Sequence, residues 1–196
     1  MNEEKEPELA QTPSKSKWKM IIKEVIIFLL VAFGIVLPFR MFVAEPYVVD
    51  GTSMDPTFAT GDYLIVDKLS YELGEPKRNS VIIFKLPDEQ SRNLIKRVIG
   101  LPGDTVTMNG TEVTITNKDN PHGFVLDQSY LTYTSPANFT KTLGPDEYFV
   151  MGDNRPVSYD SRAWGVLPRK DIIGKPILRL LPVNEIGVLP GDHTMK

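Results

Sequence analysis

Gly51-Thr52-Ser53-Met54-Asp55-Pro56-Thr57 stands where the character of the chain changes. The longest apolar run ends a few residues before it, and short alternating runs broken by turn formers fill the sequence after it. A serine set between a glycine and a Met-x-Pro turn, close to the end of such a run, reads as a candidate nucleophile. Serine is weak at its free pKa, so it needs a base within hydrogen-bond reach and donors for a developing oxyanion.

Upstream, residues 1–19 are polar, with Glu3, Glu4, Glu6 and Glu8, then Pro7 and Pro13, then Lys15, Lys17 and Lys19. Such a segment buries too little apolar area to order itself. From Met20 to Phe39 only Lys23 and Glu24 interrupt apolar sequence. Twenty helical residues span roughly 30 Å, the thickness of a bilayer core, and Lys23 can snorkel. Residues 20–44 are therefore expected to form a transmembrane anchor. A cleaved signal peptide is the competing reading, but Phe42 is bulky where cleavage wants a small residue, and Pro38 and Arg40 suit a helix ending at an interface. Four lysines precede the span and one arginine closely follows it. That asymmetry predicts a cytoplasmic amino terminus and an extracytoplasmic domain over residues 45–196 of a single-pass cell-membrane protein.

Downstream, strand signals recur at Tyr47–Val49, Tyr63–Asp67, Val81–Leu86, Leu94–Ile99, Thr105–Met108, Glu112–Thr116, Glu147–Met151 and Ile177–Leu181. Asn109-Gly110 has the signature of a type I′ hairpin turn. The expected class is mostly β, an antiparallel sheet domain with one amino-terminal transmembrane helix. Residues 117–146 are polar and read as an excursion from that core. The chain has no cysteine, which excludes disulfides, thiolate catalysis and cysteine-based zinc sites. A net charge of -3 with no long basic block argues against nucleic acid as a partner.

The base has few candidates. His122 lies between Pro121 and Gly123, and His193 sits near the carboxyl terminus, so neither suits a Ser-His-Asp triad. Lys96, in Leu94-Ile95-Lys96-Arg97-Val98-Ile99, can point into an apolar interior, where desolvation lowers a lysine pKa toward the working range. A water-facing strand lysine is the plainer reading of Lys96 alone. A third stretch, Gly152-Asp153-Asn154-Arg155-Pro156-Val157-Ser158-Tyr159-Asp160-Ser161-Arg162, combines turn formers with paired acids and arginines, as a loop held by charge-assisted hydrogen bonds would.

Together these stretches resemble the bacterial type I signal peptidases, membrane-anchored Ser/Lys proteases, in a Gram-positive-like form. Ser53-Met54-Asp55-Pro56-Thr57, Gly61-Asp62 with Asp67-Lys68, Lys96-Arg97 through Gly103-Asp104, and Gly152-Asp153-Asn154-Arg155 through Asp160-Ser161-Arg162 match the family's boxes in order and spacing. The resemblance implies that Ser53 is the nucleophile and Lys96 the general base. It implies that Ser158 orients the lysine, that Asp160 and Arg162 support the site, and that Arg97 is structural. Gly51 occupies the position where Gram-negative members place an oxyanion-hole serine, so the hole would rest on the Ser53 backbone N–H and the Gly51 region.

The implied substrate is a preprotein signal peptide with small residues, typically Ala-x-Ala, before the cut, lying along a strand edge. Tyr47, Val49, Met54, Phe58, Leu94 and Ile95 are the expected pocket residues; Phe42 and Tyr47 are also placed to meet membrane lipid. No metal or cofactor is implied. Two alternatives are weighed: a self-cleaving Ser/Lys regulator, which would share the catalytic pair but be soluble with a DNA-binding segment, and a non-catalytic membrane-anchored assembly or binding factor on the same fold, which would tend to lack one of the pair.

Overall fold

The anchor region and the strand-rich region separate into two units, Met1–Met41 and Phe42–Lys196. The computed structural model describes residues 15–37 and 43–191. Most of the expected polar tail (residues 1–14), Pro38, Arg40, Phe42 and His193 lie outside the described residues.

In the first unit, α1 (Lys15–Val31) is followed without a break by a π turn over Ala32–Val36, closed by the Leu37 N–H donating to the Ala32 carbonyl. Gly34 lies inside that turn, where a poor helix former eases the departure from α geometry. The apolar side chains are exposed on every side, Phe28 to 70% and Phe33 to 64%. Among the described residues no helix is long and apolar enough to cross a membrane, because the expected span is divided between α1 and the π turn.

The second unit begins at the edge of a sheet. Strands β1 (Ala44–Val48), β2 (Tyr63–Asp67), β3 (Val81–Leu86), β4 (Glu89–Gly100), β9 (Glu147–Met151), β10 (Leu167–Pro168), β11 (Ile172–Leu181) and β12 (Gly187–Val188) form one eight-stranded antiparallel sheet. The order runs β1-β2-β11-β3-β4-β9-β10, with β12 also on β11. A second sheet, ordered β7-β6-β5-β8, contains β5 (Thr105–Gly110), β6 (Glu112–Thr116), β7 (Phe124–Val125) and β8 (Ala137–Thr142). Among the described residues of this unit, helix is confined to α2 (Leu69–Leu73), α3 (Ser161–Trp164) and short 3-10 turns.

Strand periodicity explains the packing. β3 is buried on both faces apart from Lys85, as suits a central apolar run. In β5 and β6 the buried side chains Val106, Met108, Val113 and Ile115 alternate with more exposed neighbours and form a core with Ile99, Phe149 and Met151. A separate cluster of Val49, Met54, Phe58, Leu64 and Val81 lies under the serine loop.

Several expectations change. β1, β4 and β11 start earlier than expected; the polar start of β4 is carried by a tight turn after β3, with Leu86 opposite Glu89. The β5–β6 turn comes one residue later than expected. Asn109 pairs with Glu112, leaving Gly110 and Thr111 as the loop, and positive φ occurs only at Gly110 (φ 62), which fits type II′ rather than I′. Residues 117–146 include β7 and β8 and so supply half of the second sheet.

Candidate active site

Three segments meet at Ser53. The first is the β1–β2 loop that carries it. Its ends are joined by Val49 N–H to the Asp62 carbonyl and Gly61 N–H to the Val49 carbonyl, both 2.9 Å, and Phe58 N–H returns to the Met54 carbonyl at 3.0 Å. Met54 and Phe58 are fully buried beneath it, so the loop is fixed from below. β4 supplies Lys96. The segment after β9 supplies Gly152 to Ser158, and its Asn154 N–H donates to the Ser53 carbonyl at 3.0 Å.

Lys96 Nζ lies 2.7 Å from Ser53 Oγ and 2.9 Å from the Ile95 carbonyl, to which it donates. The residue is 2% exposed. Burial pulls its pKa down from 10.5 to about 8; the carboxylates of Asp160 and Asp153 push the other way, and Arg92 adds to the lowering. The water-facing reading of Lys96 is therefore not what the fold adopts. A neutral amine in this position donates to Ile95 and presents its lone pair to the serine hydroxyl.

The acids and arginines of the third stretch pair closely. Arg97 and Asp153, both fully buried, form a two-pronged ion pair at 2.8 and 2.6 Å. Thr57 Oγ1 donates to the same carboxylate at 2.6 Å, and Arg97 also donates to the carbonyls of Asn79 and Gly191. Asp153 thus ties the nucleophile loop to the base strand, a role the sequence reading did not assign; the signal for it was an acid one residue after Gly152 facing an arginine one residue after Lys96. Asp160 accepts from Gly152 N–H at 3.0 Å and from Arg162 Nε at 2.8 Å while capping α3, and Arg162 Nη2 reaches the Arg155 carbonyl at 2.6 Å. Tyr130, from residues 117–146, lies under the Arg97 guanidinium at 4.2 Å, and Gln128 accepts from Arg155 at 2.6 Å.

Ser158 lies beside this network without joining it. Its hydroxyl is buried and, among the described residues, has no hydrogen-bond partner, Lys96 included. It packs on Gly152, where a Cβ would collide with Ser158 Oγ and the Ser53 carbonyl oxygen, so the close approach of the two segments needs glycine there. Gly51 has φ +104, and its N–H is engaged by Thr60 Oγ1 at 3.0 Å. That amide is therefore not free to serve an oxyanion in this arrangement.

A cavity of about 270 Å³ opens beside the pair, lined by Tyr47, Val49, Leu94 and Ile95 among the expected pocket residues and by Leu64 and Ile83, which were not anticipated. Met54 and Phe58 do not line it: both are turned into the core with Val81. β4 pairs with β9 only from Arg97 onward, so on that side the register leaves Asn93 to Lys96 without a neighbouring strand. Among the described residues no group of three or more His, Asp and Glu side chains is arranged to hold a metal ion.

Residues 22–181 match the family model described as signal peptidase, peptidase S26. A Synechocystis protein described as probable signal peptidase I-2 is 35% identical over 93% of this chain and 82% of its own length. A signal peptidase I of Leptolyngbya laminosa is 37% identical over 94% and 90%, and one of Bacillus licheniformis is 37% identical over 81% and 88%.

Proposed function

The chain belongs to the signal peptidase family, peptidase S26, and we propose that it performs the family's reaction, removal of signal peptides from preproteins, through Ser53 and Lys96. It is a serine endopeptidase of the bacterial type I class. The observation that carries the assignment of the pair is the 2.7 Å separation of Lys96 Nζ and Ser53 Oγ around a lysine removed from water.

In this reading neutral Lys96 accepts the hydroxyl proton as Ser53 Oγ attacks the scissile carbonyl. The carbonyl electrons move onto oxygen, and on collapse the leaving amine takes the proton back from the Lys96 ammonium, leaving an acyl ester on Ser53. Water, deprotonated by the same amine, then releases the acyl group. The Ser53 backbone N–H is the oxyanion donor in this scheme. Asp153 and Asp160, each held by an arginine, keep the three segments in register, where a 1 Å error costs on the order of a hundredfold in rate. Ser158 is assigned the role of orienting Lys96 in the substrate complex; among the described residues its hydroxyl has no competing partner to give up.

The substrate adds as an extended strand along the open side of β4, with alternate small side chains entering the cavity lined by Tyr47, Val49, Leu94 and Ile95. α1, the π turn and the apolar residues that follow anchor the chain in the membrane by a single pass. The amino terminus is cytoplasmic and residues 45–196 are extracytoplasmic, on the lysine asymmetry of the sequence.

Detergent-solubilised protein is expected to cut a preprotein just after an Ala-x-Ala site, while Ser53→Ala and Lys96→Ala remain folded and inactive. Substantial turnover by a well-folded Lys96→Ala variant would sink the mechanism.

A further inference from the structure

After β11 the chain turns through Val183–Glu185 and comes back along β12, where Gly187 pairs with Arg179 and Val188 with Leu178. The return leads to Leu189-Pro190-Gly191, well beyond the last of the four sequence boxes. Its backbone is constrained. Leu189 has φ 48, a left-handed conformation uncommon for leucine, and its N–H donates to the Ile177 carbonyl at 2.8 Å. Such conformations persist only where surrounding contacts impose them, and they gather at functional sites. Pro190 follows with a fixed φ and borders a crevice with Ser80, Val81 and Pro176.

What the return delivers is Gly191. Its carbonyl accepts from Arg97 Nη1 at 2.6 Å, and the same guanidinium grips Asp153. Gly191 also abuts the serine loop. It has φ +72, and a Cβ built on it stands 2.6 Å from Thr57 Cγ2 and 2.9 Å from Phe58 Cε2. Both neighbours are held in place. Thr57 Oγ1 donates to Asp153 at 2.6 Å and the Thr57 carbonyl accepts from Arg179. Phe58 is fully buried, with the Arg179 guanidinium 4.9 Å from its ring, and Glu185 at the start of the return accepts from Arg179 in turn. The end of the serine loop is thus gripped by the Arg97–Asp153 pair and by the returning segment, and Arg97 joins the two grips one residue from Lys96.

We propose that Gly191 is a positioning residue of the active site: Leu189-Pro190-Gly191 wedges Thr57 and Phe58 against the Arg97–Asp153 pair and so fixes where Ser53 Oγ stands relative to Lys96 Nζ. This rests on the assignment of Ser53 and Lys96 given above. Gly191 does not line the cavity beside the pair, so its effect falls on the chemical step and not on substrate binding.

Full-length protein in detergent, cutting an Ala-x-Ala preprotein, tests this through Gly191→Ala. Bringing a 2.6 Å contact to van der Waals distance takes about 1 Å of movement, and an error of that size at a reacting group costs on the order of a hundredfold in rate. With the shift shared between the segment and the loop, kcat is expected to fall by about tenfold to thirtyfold, while KM stays within about twofold. Water admitted to Lys96, which is 2% exposed, lifts its pKa from about 8, so the half-maximum of kcat/KM is expected to move up by about half a unit or more. Gly191→Ala/Thr57→Ser removes the methyl that the new Cβ meets and keeps the hydroxyl for Asp153; measured against Thr57→Ser, it is expected to recover kcat by about threefold or more. A merely structural role lowers the unfolding midpoint and leaves kcat per folded molecule and the pH profile at wild-type values, and that result overturns the proposal. Pro190→Gly adds no atom to the contact and frees the backbone before Gly191, so it decides the matter if Gly191→Ala does not fold: kcat lower by about threefold or more supports the proposal, and wild-type kcat and pH profile overturn it. Wild-type protein that does not cut, or Ser53→Ala that cuts equally well, overturns the catalytic assignment and this proposal together.

Discussion

Replacing Lys96 with methionine is predicted to abolish turnover and, below pH 8, to make the protein more stable. The side chains are close in volume, so the change keeps the packing while removing the amine. In the native state Lys96 has its pKa lowered from 10.5 to about 8, mainly by burial. A group whose neutral form is favoured by folding costs stability wherever it must be protonated, and the full cost applies below the folded pKa. The difference of 2.5 units corresponds to about 3 kcal/mol. Against this, the Ile95 carbonyl and the Ser53 hydroxyl each lose a partner, at roughly 1 kcal/mol for such a bond, so the net gain at pH 7 is about 1–2 kcal/mol.

The pH dependence is the sharper signature, because it does not depend on those lost bonds. Between about pH 8 and 10.5 the unfolded wild-type chain binds more protons at this site than the folded chain does, so wild-type stability rises with pH while Lys96→Met gains nothing there. The advantage of the variant should therefore shrink through that window. Guanidinium unfolding of both proteins in non-ionic micelles, followed by tryptophan fluorescence at several pH values, measures it. A stability difference that stays constant from pH 7 to 10 would refute the argument that burial holds this amine near neutrality.

Activity should follow the same group in the opposite sense of cost. kcat/KM is expected to rise with pH to a half-maximum near 8, with about a tenth of the lysine neutral at pH 7, and a flat profile over pH 6–10 would remove Lys96 from the base role. Asp153→Ala strands the Arg97 guanidinium without its counter-charge in a site closed to water and should destabilise the domain by about 3–5 kcal/mol. Arg97→Met/Asp153→Leu should recover much of that loss, and equal instability of the single and double variants would show that the ion pair is not the cause.

Much of the fold was legible because apolar alternation and turn residues agree along β2, β3, β6 and β9, whose limits coincide with their apolar runs. Ala137–Thr142 was invisible for the opposite reason. β8 has only Ala137 and Phe139 as apolar residues, which pack on the core, and its other positions are polar and exposed; its register with β5 and threonine pairs such as Thr105 with Thr142 at 3.0 Å complete its hold, so its apolar signature is too short to read as a strand. The pair Ser53 and Lys96 came from motif order, since each residue alone has an ordinary explanation. Met54 and Phe58 were misplaced because adjacency to a candidate nucleophile says nothing about which way a side chain turns. Here both fall inward, and it is this packing that stiffens the loop.

The neighbourhood of Lys96 sets burial against the charges that hold the site together. The segments around the pair are joined by carboxylates: Asp153 takes bonds from Thr57 and Arg97, and Asp160 from Gly152 and Arg162. Each of these negative charges raises the Lys96 pKa, against the burial that lowers it. Uncompensated carboxylates so close would favour the ammonium and leave the serine without a base. Pairing each with a guanidinium preserves the hydrogen bonds that hold the loops, while at Lys96 itself burial outweighs the fields of Asp160 and Asp153. Lysine would serve less well in either pair, since it lacks the rigid fork that engages both carboxylate oxygens and its own pKa would fall on burial. The Asp–Arg pairs thus supply strong anionic anchors for the loops beside a lysine whose pKa burial holds well below the ordinary value.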